Sequence, residues 1–199
     1  MLNLISLDSS ITLFLRNIIP HSTFFNSFFS FFSLKGSSIL IWIFVIIIVV
    51  ILEERKNPGI SNRDKKFIIL FSLSFLLTAF ISDIVIKNIF QRSRPFIGSE
   101  NPTLTYGTVL NRSLQLISTC PLDFSFPSTH AAIAFAAATV LTFFDKKRRY
   151  FYYIIAVLIS YSRIYLGCHY FLDVMAGALV GCINVKIIIS SYKYVKRIY

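Results

Sequence analysis

Three short clusters carry the chemically versatile side chains of this chain. They are Lys87 with Arg94-Pro95 after six intervening residues, Pro127-Ser128-Thr129-His130, and Ser162-Arg163 followed by His169 and Asp173. Together they offer three cations, three hydroxyls, two imidazoles and a carboxylate. Phosphoryl transfer needs this set, because it uses cations for the phosphate, a nucleophile, and an acid for the leaving group. The clusters therefore predict a phosphoryl-transfer site.

The third cluster is the most specific of the three. His169 and Asp173 are four residues apart, so on a helix their side chains share a face. The carboxylate then accepts a hydrogen bond from one imidazole nitrogen and leaves the other free to attack, which is the geometry of an activated nucleophile. A structural ion pair or a proton relay inside the membrane is the alternative reading.

The other two clusters have simpler explanations when each is considered alone. Ser128 precedes an alanine-rich stretch and is a good N-cap, and a helix N-terminus also binds phosphate. Lys87 near a helix end often serves as an interfacial anchor, and Asp83 four residues earlier is placed to pair with it. Pro95 disfavours helix at Arg94 and so predicts that the helix ends before it.

The composition indicates a membrane protein. The 199 residues are 55% hydrophobic and 15% charged, with a mean hydropathy of +0.69, whereas soluble domains carry about 25% charged residues. The apolar runs approach the roughly 20 residues that a spanning helix needs. We therefore expect an all-α, polytopic transmembrane helical bundle that forms a single membrane-embedded domain over residues 1–199.

Hydropathy predicts spans at about 37–53, 66–90, 128–144, 150–166 and 170–190, separated by polar loops. Residues 1–35 are ambiguous, because Pro20 interrupts an apolar, phenylalanine-rich stretch. That segment forms either one kinked first span or an interfacial helix followed by a short inserted one. Six spans are preferred over five, and residues 91–127 form the one long loop.

The net charge of +11 comes from basic residues in short loops, which favours anionic headgroups over nucleic acid as the partner. Twelve of these cations lie in alternate loops and at the C-terminus, on the face predicted to be cytoplasmic. Both termini are then cytoplasmic in a multi-pass plasma-membrane protein. Because alternate loops lie on the same side of the membrane, all three clusters are predicted on the extracytoplasmic face. Cys120 and Cys168 are predicted on that face too, so a disulfide between them is compatible with the topology.

The three clusters resemble the signature of the type 2 phosphatidic acid phosphatase superfamily, which includes bacterial membrane lipid phosphatases and undecaprenyl pyrophosphate phosphatases. That signature reads Lys-x6-Arg-Pro, then Pro-Ser-Gly-His, then Ser-Arg-x5-His-x3-Asp, and the chain matches each spacing. The resemblance extends to the helical layout from about residue 66 to 190. The one departure is Thr129 at the glycine position, where threonine keeps the backbone N–H but adds a methyl group near the pocket.

The resemblance implies a role for each site residue. His169 would attack phosphorus and become a phosphohistidine, Asp173 would orient it, and His130 would protonate the leaving oxygen. The phosphate oxygens would be held by Lys87, Arg94, Ser128, Thr129 and Arg163. Neither a metal nor another cofactor is expected, because three cations balance a phosphate dianion.

The sequence thus predicts a metal-independent membrane phosphatase that hydrolyses a lipid phosphate or pyrophosphate, of the undecaprenyl pyrophosphate or phosphatidylglycerophosphate type. A lipid phosphotransferase with the same intermediate is one alternative. A non-enzymatic lipid-headgroup transporter is another, but it would need neither His130 nor the His169–Asp173 pair. The oligomeric state is left open.

Overall fold

The computed structural model describes residues 2–33, 37–54, 62–95, 120 and 123–198, and its regular elements are all helical. The helices are α1 (Leu2–Asn17), α2 (Thr23–Ser33), α3 (Ser37–Glu54), α4 (Asn62–Phe90), α5 (Thr129–Phe144), α6 (Arg149–Tyr165) and α7 (Phe171–Ile198). Helix α4 changes to π-helical geometry over Ile81–Ile86 and closes with a last α-helical turn, Lys87–Phe90. The all-α prediction is confirmed.

The five predicted spans correspond to α3 to α7 and agree with them to within a few residues at most ends. The largest difference is at the end of α7, which continues to Ile198 rather than stopping near residue 190. Its last turns carry Lys193 and Arg197, which mark a polar end but do not break a helix. Most of the loop predicted at 91–127, and the middle of the polar loop at 53–66, lie outside the described residues.

Helix α5 lies at the centre of the bundle and packs against α4, α6 and α7. Its small side chains permit close approach, and two glycines of α7 face it. A Cβ on Gly177 would lie 2.3 Å from the Ser128 carbonyl oxygen, and one on Gly181 would lie 2.1 Å from that of Ala132. This close crossing brings the first residues of α5 and α7 together, and the Ser128 N–H donates to the Asp173 carbonyl at 2.9 Å.

Among the described residues, two helices are long and apolar enough to cross a membrane, Asn62–Phe90 and Phe171–Val195. Leu40–Val49 and Thr129–Phe144 are shorter apolar stretches. Both long helices also carry large exposed apolar side chains such as Leu76 and Ile187. The predicted number of six spans stays a prediction.

The N-terminal segment forms two helices rather than one kinked span, because the chain leaves helical geometry around Pro20. The 11-residue α2 is about 16 Å long, roughly half of the ~30 Å hydrocarbon thickness of a bilayer. Helix α1 lies against α6 and α7, and Tyr161 on α6 donates its hydroxyl to the Leu15 carbonyl at 2.8 Å. This docking matters because α1 brings a carboxylate to the predicted site.

Candidate active site

Lys87 lies in the last turn of α4, directly after the π-helical segment. Its backbone N–H donates to Ser82, five residues earlier, and such π-bulges are frequent at functional sites. The buried Lys87 ammonium contacts Asp83 Oδ1 at 2.5 Å, which confirms the predicted pairing. Gln91, with φ of 45°, ends the helix and turns the chain toward Arg94.

Arg94 and Lys87 both bind Asp123, which lies near the end of the long loop. Arg94 Nη2 and Lys87 Nζ each contact one carboxylate oxygen of Asp123 at 2.5 Å. Burial raises the pKa of Asp123, but the hydrogen bond from Lys87 and the charges of Lys87 and Arg94 outweigh it and lower the pKa to about 2. We call Asp83, Lys87, Arg94 and Asp123 the pocket cluster. Its cations hold an anion.

The His169 imidazole lies against this cluster. Its Nε2 is 2.9 Å from Arg94 Nη1, and its Nδ1 is 2.7 Å from the Ser125 carbonyl oxygen. A guanidinium only donates, so Nε2 must accept, and Nδ1 then carries the proton that it donates to Ser125. Burial, followed by the charges of Arg94 and Arg163, lowers the pKa of His169 well below its usual range. The ring is therefore neutral, and the lone pair of its Nε2 is directed at Arg94.

Asp173 lies on the opposite side of the ring, but not as the sequence suggested. His169 precedes the first residue of α7 by two positions, and its Nδ1 is 3.6 Å from Asp173 Oδ2, too far for the expected hydrogen bond. The Asp173 oxygens are engaged elsewhere, since Oδ2 accepts the Tyr170 N–H at 2.9 Å and Oδ1 accepts Arg92 at 2.7 Å. The Ser125 carbonyl takes the predicted place of the carboxylate.

Arg92 also binds a second carboxylate, contributed by α1. Its Nη2 is 2.7 Å from Asp8 Oδ2, and the Asp8 and Asp173 side chains are both 0% exposed. We call Asp8, Arg92 and Asp173 the buried bridge. It lies on the Nδ1 side of His169, whereas the pocket cluster lies on the Nε2 side.

The first turn of α5 supplies the second sequence cluster. Ser128 is the N-cap and its hydroxyl accepts the Ala131 N–H at 3.5 Å, as predicted. Thr129 Oγ1 donates to Asp83 Oδ1 at 2.5 Å, so the residue that departs from the family pattern is bound to the pocket cluster through its hydroxyl. His130 is half-buried within electrostatic reach of Lys87 and His169.

Arg163 is completely buried near the end of α6, where its Nη1 donates to the Ser33 carbonyl at 2.9 Å and also contacts the Ser33 hydroxyl. Its backbone carbonyl accepts the N–H groups of Cys168 at 2.9 Å and His169 at 3.3 Å. The charge of Arg163 also acts on His169 and His130. Arg163 thus joins the end of α2 to the segment that carries His169.

A disulfide joins Cys120 to Cys168, with a Cα–Cα distance of 5.3 Å. The pairing agrees with the predicted location of both cysteines on one face. It fixes the end of the long loop beside His169, and the Cys168 carbonyl accepts a hydrogen bond from Arg94 at 2.8 Å.

The structure brings the three sequence clusters together, and it adds three residues that the sequence did not single out: Asp8, Arg92 and Asp123. The signal for Asp8 and Asp123 was the scarcity of acids, since the chain has nine Asp and Glu residues in all; Arg92, one of twenty Lys and Arg residues, carried no comparable signal. Ionisable residues in apolar surroundings usually have a function and a partner.

Comparison with known proteins identifies relatives of this chain. An undecaprenyl-diphosphatase of Sulfolobus acidocaldarius is 36% identical over 123 residues, which are 61% of this chain and 53% of that protein. A lipid A 4'-phosphatase of Bacteroides thetaiotaomicron is 28% identical over 177 residues, or 88% of this chain and 72% of the relative. The chain thus spans about half the length of the first of these relatives.

The crystal structure of Aquifex aeolicus LpxE has the same fold, with a TM-score of 0.60 and 28% identity over 91% of this chain and 93% of that one. The model of the PAP2 superfamily matches residues 67–197, which include all three clusters. The match covers well over half of the sequence, and with the apolar helices it leads to one conclusion: this chain is a membrane protein that belongs to the PAP2 superfamily.

Proposed function

We propose that this protein is a metal-independent phosphatase that hydrolyses a lipid phosphate or pyrophosphate through a phosphohistidine intermediate. The proposal rests on one observation. The carboxylate of Asp123 is bound between Lys87 and Arg94, and the lone pair of His169 Nε2 points at Arg94 from 2.9 Å. An anionic group is therefore held by cations beside a neutral nucleophile. A substrate phosphate that takes the place of the carboxylate meets the same three side chains.

The reaction follows from this geometry in two steps. His169 Nε2 attacks phosphorus, the bond from phosphorus to the lipid-side oxygen breaks, and His130 gives its proton to that oxygen. In the second step His130 removes a proton from water, the water oxygen bonds to phosphorus, and the bond to Nε2 breaks. Inorganic phosphate leaves and His169 is restored. Each step depends on positioning and charge stabilisation, which dominate catalysis of phosphoryl transfer.

The remaining residues stabilise the charges that develop. Lys87, Arg94 and Arg163 supply cations around the phosphate oxygens, and the helix N-terminus adds the Ser128 hydroxyl and the Thr129 backbone N–H. Asp173 acts on the Nδ1 side of the ring, where the proton of His169 is already held by the Ser125 carbonyl. These assignments retain every residue that the sequence analysis selected.

The substrate class follows from the surroundings of the site. The bundle exposes apolar side chains along its long helices, which suits a substrate whose tail stays in the bilayer. The relatives named as acting on undecaprenyl diphosphate and lipid A support a lipid-linked phosphate, and a phosphatidylglycerophosphate is a further candidate. We place the site on the extracytoplasmic face of the plasma membrane, with both termini in the cytoplasm, because of the charge of the loops.

The test is phosphate release from the purified full-length protein in detergent with excess chelator. The substrates are undecaprenyl pyrophosphate, phosphatidylglycerophosphate, phosphatidic acid and a soluble phosphomonoester, and the His169→Ala variant is the control. We expect release that survives the chelator and disappears in the variant. Release that continues in His169→Ala contradicts the mechanism. A labelled phosphoryl group that moves to an acceptor lipid instead of water identifies a transferase, and lipid translocation without release identifies a transporter.

A further inference from the structure

Helix α1 presents two buried polar side chains to the first turn of α7. Asp8 Oδ1 accepts the Leu172 N–H at 3.0 Å, and Thr12 Oγ1 accepts the Phe171 N–H at 2.9 Å. Asp8 is 1% exposed and Thr12 is 4% exposed. Both side chains thus cap α7 from another helix, and both attach α1 beside His169.

Only Asp8 has a second contact that leads to the candidate active site. Its Oδ2 binds Arg92, and the same guanidinium binds Asp173 Oδ1, each at 2.7 Å. The guanidinium also lies over the Tyr170 ring, 4.0 Å from its centroid. Arg92 is therefore fixed in one orientation by two carboxylates and an aromatic ring.

When Asp8 and Asp173 are both ionised, the charges of the buried bridge do not cancel. Two carboxylates then share one guanidinium, which leaves an excess negative charge on the Nδ1 side of His169. In the proposed reaction the imidazole gains positive charge as Nε2 bonds to phosphorus, and a nearby negative charge stabilises that state. Without the charge of Asp8, Arg92 would pair with Asp173 alone and neutralise it.

The backbone of Arg92 is joined to the same ring. Its carbonyl accepts the Ser125 N–H at 2.8 Å, and the Ser125 carbonyl accepts His169 Nδ1 at 2.7 Å. Any rotation or shift of Arg92 is thus transmitted to both partners on the Nδ1 side of the ring, the Ser125 carbonyl and the Asp173 carboxylate.

We propose that Asp8 is a positioning residue for the nucleophile: by binding Arg92, it holds Asp173 in place and keeps the negative charge of Asp173 available to His169. The inference rests on the proposed function. It assigns to α1, which carries none of the three sequence clusters, an indirect part in phosphoryl transfer that acts through Arg92.

The test compares Asp8→Asn with Thr12→Val in the full-length protein, with phosphatidic acid and undecaprenyl pyrophosphate as substrates. Asparagine keeps an oxygen for the Leu172 N–H but removes the charge that binds Arg92. Valine removes the neighbouring cap and leaves the buried bridge intact, so it reports the cost of loosening α1 alone. We expect kcat of Asp8→Asn to fall about 10–100-fold, the range found when the outer partners that orient metal-bound imidazoles are removed. KM should stay within about twofold, because Asp8 does not touch the substrate.

Equal kcat values for Asp8→Asn and Thr12→Val, or a loss of Asp8→Asn activity that appears only in KM, overturn the proposal. If Asp8→Asn does not fold, as judged by size exclusion in detergent, Arg92→Gln replaces it, because that variant keeps both α1 caps. A wild-type kcat in Arg92→Gln then overturns the proposal. If the wild-type protein is active and His169→Ala is not, the proposed function stands whichever way this test falls. An inactive wild-type protein contradicts both.

Discussion

Two groups of carboxylates and cations flank the His169 imidazole, and they differ in their access to solvent. In the pocket cluster, on the Nε2 side, the side chain of Asp123 is 42% exposed although it binds two cations. In the buried bridge, on the Nδ1 side, the Asp8 and Asp173 side chains are 0% exposed. The same chemical groups therefore stand in two different environments within one site.

The difference in exposure separates an exchangeable anion from a permanent one. The Asp123 carboxylate is half-exposed, and a substrate phosphate that replaces it leaves the buried cations of Lys87 and Arg94 paired, so the exchange is expected to cost little. Breaking a buried pair leaves an uncompensated charge and costs several kcal/mol, so the bridge is expected to stay intact throughout turnover. In this account the pocket cluster binds the substrate and the buried bridge holds the nucleophile.

The largest expected effect comes from the side chain that lies between the two groups. His169→Ala should lower kcat by roughly 10⁴-fold or more, because the nucleophile is lost. The measurement is phosphate release under saturating lipid. His21→Ala is the matched control, since that imidazole stacks on Tyr165 instead of facing the cations, and it should stay within about threefold of wild type. Comparable losses in the two variants would contradict the assignment.

An Arg→Lys substitution in the pocket cluster and another in the buried bridge test whether the two groups have different roles. Arg94→Lys keeps the charge but loses the fork that reaches Asp123 and His169 together, so kcat/KM should fall about 10²–10³-fold with KM raised. Arg92→Lys should lower kcat and leave KM unchanged, because Arg92 faces the bridge instead of the substrate. Full steady-state curves for both variants provide the check. A raised KM in Arg92→Lys would place it in the substrate pocket and remove the distinction.

A smaller effect is expected when the exchangeable carboxylate is neutralised. Asp123→Asn frees Lys87 and Arg94 to bind other anions, so the inhibition constant of inorganic phosphate should fall up to about fivefold, equivalent to ~1 kcal/mol. Asp145→Asn is the matched control, because Asp145 also pairs with an arginine at 2.5 Å but lies between α5 and α6, among the loops predicted to be cytoplasmic. Weaker phosphate inhibition in Asp123→Asn would show that the carboxylate supports the pocket and does not compete for it.

Sequence alone predicted the parts of this molecule that depend on local pattern. Helices α3 to α7 follow from long apolar runs, Ser128 follows from N-cap preference, and the three clusters follow from spacing. The parts that the sequence did not predict depend on contacts between distant segments. Examples are the ion pair of Asp8 with Arg92 and that of Asp123 with Lys87. A single carboxylate in a loop or in an apolar helix has no partner that its own neighbourhood reveals.

The hydrogen bond of His169 illustrates the same limit. The spacing of His169 and Asp173 predicts a shared helical face, but the helix begins only at Phe171, and the Ser125 carbonyl reaches Nδ1 first. The spacing predicted correctly that Asp173 lies near the His169 ring, whereas the backbone of a segment 44 residues away supplies the hydrogen-bond partner of Nδ1.

The smallest effect concerns acid stability. The pKa of Asp123 is lowered from 3.8 to about 2, so its ion pairs contribute fully above pH 3.8 and are lost as the pH falls toward 2. The Tm difference between wild type and Asp123→Asn in detergent should therefore be largest near neutral pH and shrink between pH 3.8 and 2. A difference that is as large at pH 2 as at pH 5 would mean that the carboxylate charge does not contribute.

In the proposed reaction, His169 Nε2 is held between the two groups and takes the phosphoryl group from the lipid. The most direct measurement is to quench turnover of phosphatidic acid and undecaprenyl pyrophosphate at alkaline pH, where phosphohistidine persists, and to map the modified residue by mass spectrometry. We predict a phosphoryl group on His169 that is absent from unreacted protein and is discharged to inorganic phosphate when turnover continues. Rapid phosphate release without any phosphorylated His169, under conditions in which a phosphohistidine standard survives the quench, would contradict the account.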